Sequence, residues 1–228
     1  MFSIRIENVV ASTSLSPELD LQSIALSLDK AEYEPEQFPG LIYRLKEPKT
    51  ALLLFRSGKA VCTGGKSMNQ VNQSIRIVSD LIRKTKQKVL LHPVVQVQNI
   101  VATANLGSEL NLNAIAVTLG LDRVEYEPEQ FPGLVCRLKD PAVVILLFGS
   151  GKLVCTGARR PADISRAVQQ IASELQRADL LREPTPRAPA QPTRPKRTSR
   201  APSAVPAPAA GNLRATTESH ESVPTPAS

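Results

Sequence analysis

The sequence has no tryptophan, three cysteines and two histidines in 228 residues, and its apolar runs, such as ALLLF at 51–55, are short. Each scarcity excludes something. Cys62, Cys136 and Cys155 are odd in number, show no C-x-x-C spacing and lie far in sequence from His92 and His220. A disulfide framework and a metal site are therefore not expected, and three small buried apolar side chains in a reducing, intracellular protein are. The apolar runs fall far short of the ~20 residues that span a bilayer, so no membrane partner is expected. Met1 leads directly into the alternating FSIRIEN, a pattern unlike a secretory leader. Large apolar residues are also nearly missing from 183–228, which hold ten of the 19 prolines. Such a segment cannot bury enough surface to fold, and a disordered tail is expected there.

What remains is basic and repetitive. The formal net charge is +7, of which the tail supplies six basic and three acidic residues, leaving +4 on the rest. That balance favours polyanionic partners without identifying one. The decapeptide EYEPEQFPGL stands at 32–41 and again at 125–134, and residues 32–67 match 125–160 at 24 of 36 positions. ENVVAST from residue 7 extends the match to QNIVATA from residue 98. A unit of this length is too long for a solenoid repeat and predicts a pseudo-two-fold body, with repeats over 1–91 and 92–182 and the tail over 183–228.

Each repeat reads alike. Phe2, Ile4, Ile6, Asn8 and Val10 alternate with Ser3, Arg5 and Glu7, and Val95, Val97, Asn99 and Val101 repeat the period, so each repeat opens on a strand. SPELDLQSIALSL then predicts a short helix capped by Ser16, with Pro17 in its first turn and Leu21, Ile24, Ala25 and Leu28 on one face. LIYRLK, TALLLF and KAVCT predict hairpins joined at Ser57 and Gly58. A long helix is expected from Ser67 to Lys88, with its apolar stripe at Met68, Val71, Ile75, Val78 and Ile82, and another from Pro161 to about Arg182.

Helices on one side of a sheet leave the other side free, and here that side is not polar. In TALLLF, Leu53 and Phe55 point away from Leu52 and Leu54, and both sets are apolar; VILLF at 144–148 behaves alike. Four of the five phenylalanines fall into repeat-equivalent pairs, Phe38 with Phe55 and Phe131 with Phe148. Too little sequence remains to cover them, and paired cations flank the face: Arg44 with Arg137, Lys59 with Lys152, Lys66 with Arg159. An apolar strip with basic margins suits a nucleic-acid groove better than a protein partner.

Together, the duplicated ENVV and QNIV strands, EYEPEQFPGL, R-L-K-x-P, the LLF-x-SGK hairpins and V-C-T-G resemble the TATA-box-binding protein family over residues 1–182, with an internal symmetry similar to archaeal members. The resemblance implies an α+β saddle: a curved ten-stranded antiparallel sheet with two long and two short helices on its convex face. Double-stranded promoter DNA would lie beneath it, bound in the minor groove. By the same resemblance, Phe38 and Phe55 would wedge into one end of the site, and Phe131 and Phe148 into the other. Asn8 and Asn99 would donate to adenine N3 or thymine O2 at the centre. Val10, Val101, Val61 and Val154 would form the apolar floor, together with Leu53, Leu146, Thr63 and Thr156. Arg44, Arg137, Lys59, Lys152, Lys66 and Arg159, with Ser57 and Ser150, would hold phosphates. Glu127 and Glu129 would meet transcription factor B, which in turn brings RNA polymerase; Glu34 and Glu36 are their copies in the first repeat. No cofactor is implied. The basic PKRTSR in the tail gains no role from the resemblance.

Two rival readings differ in class. GGKS at 64–67 resembles the end of a phosphate-binding loop, but the required first glycine falls at Ala60 and the second copy reads GARR. The carboxylates of EYEPE have no nearby His or Cys in sequence, so catalysis is not expected. The other rival, a TBP-like recognition or protein-interaction module without promoter function, conflicts with the intact phenylalanine pairs and asparagines.

Overall fold

A computed structural model describes residues 2–120 and 122–181. The first repeat runs β1 (Ile4–Ser14), α1 (Leu21–Ser27), β2 (Ala31–Glu32), β3 (Gly40–Leu45), β4 (Thr50–Phe55), β5 (Lys59–Gly65) and α2 (Met68–Lys84). The second repeats that order: β6 (Gln96–Asn105), α3 (Leu112–Leu119), β7 (Val124–Glu125), β8 (Gly133–Lys139), β9 (Ala142–Phe148), β10 (Lys152–Ala158) and α4 (Pro161–Arg177). The strands form one sheet in the order β2-β3-β4-β5-β1-β6-β10-β9-β8-β7, curved and antiparallel, with the helices on its convex face.

The seam of the sheet is the pairing of β1 with β6. Val9 lies opposite its own repeat mate Ile100, and on either side Asn8 faces Val101 while Val10 faces Asn99. A local two-fold therefore passes through the Val9–Ile100 pair and exchanges the two asparagines.

The strict alternation expected for the first strand does not hold. The β1–β6 register shifts between Ile6 and Asn8, and again between Val10 and Ala11. Ile4 and Ile6 pack against the core on the helix side, whereas Asn8 and Val10 lie on the open side, with Val9 and Ala11 buried between them. A β-bulge puts one extra residue into the strand, so the residues on its two sides change face. In β6 the same occurs between Val97, which packs on the core, and Asn99.

Periodicity explains the helices. α2 starts at Ser67, whose side chain accepts from Gln70 N, and buries Val71, Ile75, Val78 and Ile82 at three- and four-residue spacing. In α4, Pro161 occupies the first turn, and Ile164, Val168, Ile171 and Leu175 form the matching stripe. Each such side chain contributes about 1.5–3 kcal/mol by leaving water. Both long helices are shorter than expected. α2 ends at Lys84, where Lys86 turns to φ 64, and α4 ends at Arg177, with Asp179 at φ 56. Ser16 does not cap the short helix: Asp20 does, accepting from Ser23 N, while the Ser16 hydroxyl donates to the Glu18 carbonyl at 2.7 Å. Aspartate and serine cap about equally well, so the Ser16 hydroxyl's bond to Glu18 leaves the cap to Asp20, and Leu21 and Ile24 still reach the core from the later start. The tail lies outside the described residues.

All three cysteines are buried and free. Burial pushes the Cys62 and Cys155 thiols up to about 11 and raises Cys136 as well. They fill the core as the expected small hydrophobes, since a thiol held neutral is neither a nucleophile nor a ready metal ligand. Among the described residues no cluster of three or more His, Cys, Asp or Glu side chains gathers, and no helix is long and apolar enough to cross a membrane.

Candidate nucleic-acid interface

The open face is built row by row from strand register. Opposed residues on neighbouring strands point to the same side, so one row runs Ile42, Leu53, Val61, Ser12 and Gln96. Its mate in the second half runs Val135, Leu146, Val154, Thr103 and Arg5. Thr63 lies opposite Ala51, which lies opposite Arg44; Thr156, Val144 and Arg137 repeat this. All the valines, leucines and threonines expected on the floor are partly exposed here, while their neighbours Leu52, Leu54, Ile145 and Leu147 are buried under the helices.

The phenylalanines meet in pairs at the two ends. The ring centroids of Phe38 and Phe55 lie 5.9 Å apart at 67°, and those of Phe131 and Phe148 lie 5.9 Å apart at 67°. The decapeptide supplies the geometry. Tyr33 and Tyr126 pack against the core, while Gln37 N and Phe38 N both donate to the Glu34 carbonyl at 2.9 Å, closing a turn that holds the ring at its tip. Gln130 N and Phe131 N do the same to Glu127. The Pro-Gly corner follows from close approach: a Cβ on Gly40 would sit 2.6 Å from Phe38 Cε1 and 3.1 Å from Phe55 Cε1. On Gly133 it would sit 2.6 Å from Phe131 Cε1 and 3.0 Å from Phe148 Cε1. Only glycine lets both rings lie against the strand. Phe131 keeps 38% of its surface in solvent, which is unusual for a large aromatic.

At the centre each asparagine is oriented by its own half. Gly64 N donates to Asn8 Oδ1 at 2.8 Å, and Gly157 N donates to Asn99 Oδ1 at 2.8 Å. This fixes which end of the amide is oxygen and leaves the NH₂ group facing the floor. One of its hydrogens reaches Thr63 Oγ1 at 3.3 Å, or Thr156 Oγ1 at 3.2 Å in the other half. The second remains available as a donor.

The margin cations are in three different situations. Lys59 and Lys152 are exposed beside the hairpin tips that carry Ser57 and Ser150. Arg44 is paired with Glu32 at 3.3 Å and Arg137 with Glu125 at 3.1 Å, so the first glutamate of each decapeptide already holds a margin arginine. These exposed pairs are worth little and exchange readily for another anion. Lys66 reaches Glu7 Oε2 at 3.3 Å, whereas Arg159 has no carboxylate within ion-pair distance among the described residues. Glu34, Glu36, Glu127 and Glu129 are all exposed on the loop tips.

A family profile described as "Transcription factor TFIID (or TATA-binding protein, TBP)" matches residues 3–85 and 94–178. The chain belongs to this family. It is 60% identical over 179 residues to TATA-box-binding protein E of Halobacterium salinarum, a match covering 78% of this chain and 96% of that protein. It is 59% identical over 178 residues to the TATA-box-binding protein of Thermoplasma acidophilum, covering 78% and 97%. A solved structure, Methanococcus jannaschii TBP, superposes with a TM-score of 0.72 at 48% identity, covering 77% of this chain and 99% of that one. The TBP family is one of transcription factors and not of enzymes, in keeping with the failed phosphate-loop motif.

Sequence reasoning missed several floor positions. Ile42 and Val135, Ala51 and Val144, and Ser12 and Thr103 share rows with the expected residues. The signal for Ile42, Val135, Ala51 and Val144 was parity with Phe55 and Phe148 along the hairpins, whereas Ser12 and Thr103 are placed only by the pairing of β1 with β5 and of β6 with β10. Arg5 and Glu7 were not legible at all, because the bulge that turns them towards the floor breaks the alternation.

Proposed function

We propose that the open face binds A·T-rich double-stranded promoter DNA through its minor groove and acts in transcription initiation; the relatives are named for binding the TATA box. The observation that carries this reading is the pair of superposable phenylalanine wedges at opposite ends of an apolar floor with two oriented amides at its centre. Phe38 with Phe55, and Phe131 with Phe148, enter the terminal base steps. Their ring faces replace lost stacking, which costs a few kcal/mol per step, and the duplex kinks and opens against the sheet.

The Asn8 and Asn99 amides donate to adenine N3 or thymine O2. A guanine amino group would meet the close floor of Val10, Val101, Val61 and Val154 with no acceptor to receive it, so A·T pairs are preferred. Leu53, Leu146, Thr63 and Thr156 complete that floor. Lys59, Lys152, Lys66, Arg159, Arg44 and Arg137, with the Ser57 and Ser150 hydroxyls, hold phosphates and contribute affinity rather than sequence information.

The exposed Glu127 and Glu129 pair with basic residues of transcription factor B, which brings RNA polymerase to the complex. The residues divide into two DNA-binding repeats over 1–91 and 92–182 that act as one body, in the cytoplasm with the nucleoid. In a bend-sensitive fluorescence titration, Phe131→Ala combined with Phe148→Ala abolishes binding to a TATA-like duplex. Unchanged bending by that variant would reject the wedge mechanism.

A further inference from the structure

We propose that Arg5 and Glu7, at the bulge of β1, set the orientation in which the chain sits on an A·T-rich site whose two halves differ. The inference rests on the minor-groove reading above. A two-fold floor cannot distinguish the ends of a duplex, because only a difference in interaction between the two placements shifts their populations. Most of this floor is two-fold. Phenylalanine faces phenylalanine across the axis, asparagine faces asparagine, and apolar or hydroxyl residues replace one another elsewhere.

The charged departures within the rows are at the bulges. Arg5 closes the second-half row, opposite Thr103; its mate Gln96 closes the first-half row, opposite Ser12. Beside them, Glu7 accepts from Arg5 Nε at 2.5 Å, from Thr103 Oγ1 at 3.0 Å and from Lys66 Nζ at 3.3 Å. Its mate Gln98 is neutral and donates from Nε2 to Ser12 Oγ at 2.8 Å. These partners hold the Glu7 carboxyl below its ordinary range, with the Arg5 contact the largest cause, so it stays ionised at neutral pH.

Two shallow grooves on the margins show the outcome. One is lined by Arg5, Thr103, Phe148 and Lys152, the other by Ser12, Lys59, Gln96 and Gln98 together with Leu90, His92 and Val94 of the segment between the repeats, which both transplants leave unchanged. The hairpin tips also differ, Arg56 against Gly149, but Arg56 lies outside the rows and is turned to Glu18 at 3.2 Å.

DNA with unlike halves responds to this difference. A-tracts are stiff, with a narrow minor groove of enhanced negative potential, whereas TA steps deform easily. An ionised carboxylate and a guanidinium at one bulge, opposed by two neutral amides at the other, give the two placements unequal energies. A floor of hydrocarbon and amide alone would not.

The test uses the full chain labelled at Leu26→Cys, on the exposed side of α1 next to β2 and β3. The native thiols are buried and protonated, so the dye attaches there. Energy transfer to either end of a duplex with TA steps in one half and an A-tract in the other reads the two orientations, and transfer between the DNA ends reads bending. The chain with Arg5 and Glu7 intact shows a bias on the order of two- to five-fold, the size that exposed charge pairs support. Arg5→Gln with Glu7→Gln, which copies the second bulge into the first, brings the ratio close to one while the duplex still bends. The reverse transplant, Gln96→Arg with Gln98→Glu, levels it too and guards against a misfolded first variant. An unbiased parent, or a bias unchanged in both transplants, overturns the proposal. Absence of bending by the parent chain defeats the minor-groove reading instead, and this inference with it.

Discussion

The first and second halves agree where shape matters and part company where charge matters. Both present two phenylalanine rings at 5.9 Å and 67°, both orient an asparagine by a glycine N–H at 2.8 Å, and both need a glycine beneath the rings. Yet Lys66 is engaged by Glu7 while its mate Arg159 has no such partner among the described residues, and α2 ends in Arg83 and Lys84 where α4 ends in Gln176 and Arg177. The geometry of gripping a duplex is held in duplicate. The electrostatics of approaching it are not.

The largest expected effects probe the shared geometry. Removing one wedge pair, Phe38→Ala with Phe55→Ala, weakens binding to a TATA-like duplex about a hundred-fold or more, since each stacked ring is worth roughly 1–3 kcal/mol. The second-half pair does at least as much damage, and a mild loss for either in fluorescence titration would break the equivalence. Next come Gly40→Ala and Gly133→Ala, which force a methyl group against a ring. Each displaces its ring from the strand and weakens binding to a TATA-like duplex, and Gly40→Ala also lowers folding stability in chemical denaturation by about 1 kcal/mol more than Gly133→Ala, because its methyl group meets the Leu54 carbonyl at 3.1 Å as well as the rings. Asn8→Ala and Asn99→Ala each cost about ten-fold in affinity and narrow the preference for A·T over G·C, one good base contact being worth about 1–3 kcal/mol. The smallest effect sharpens the difference between the halves. Arg159→Gln lowers the slope of log affinity against log salt by about one, and Lys66→Gln lowers it by less, because Lys66 leaves a carboxylate to reach a phosphate.

Much of this arrangement was legible before the structure. The hairpin run between the helices, the stripe from Val71 to Ile82 and the leftover apolar face followed from period and repetition, which report packing directly. The four phenylalanines were visible because each had a copy at the same place in the other repeat. Three features were hidden, each for a physical reason. The bulges at Glu7 and Gln98 insert one residue and invert the parity of Ile4 and Ile6 against Asn8 and Val10, so a continuous strand pattern misplaces them. The short helix starts at Asp20 rather than Ser16 because capping is decided by local hydrogen bonds that several polar residues compete to make. The Arg44–Glu32 and Arg137–Glu125 pairs depend on β2 and β7, two-residue strands too brief to leave a periodic trace.

The central claim is that the uncovered face deforms A·T-rich DNA from the minor-groove side. End-to-end energy transfer across a short labelled duplex, titrated with the chain, tests it most directly. A TATA-like duplex should shorten its end-to-end distance at low protein concentration, and a G·C-rich duplex of equal length should not. Equal binding to both, with neither bent, would contradict the account.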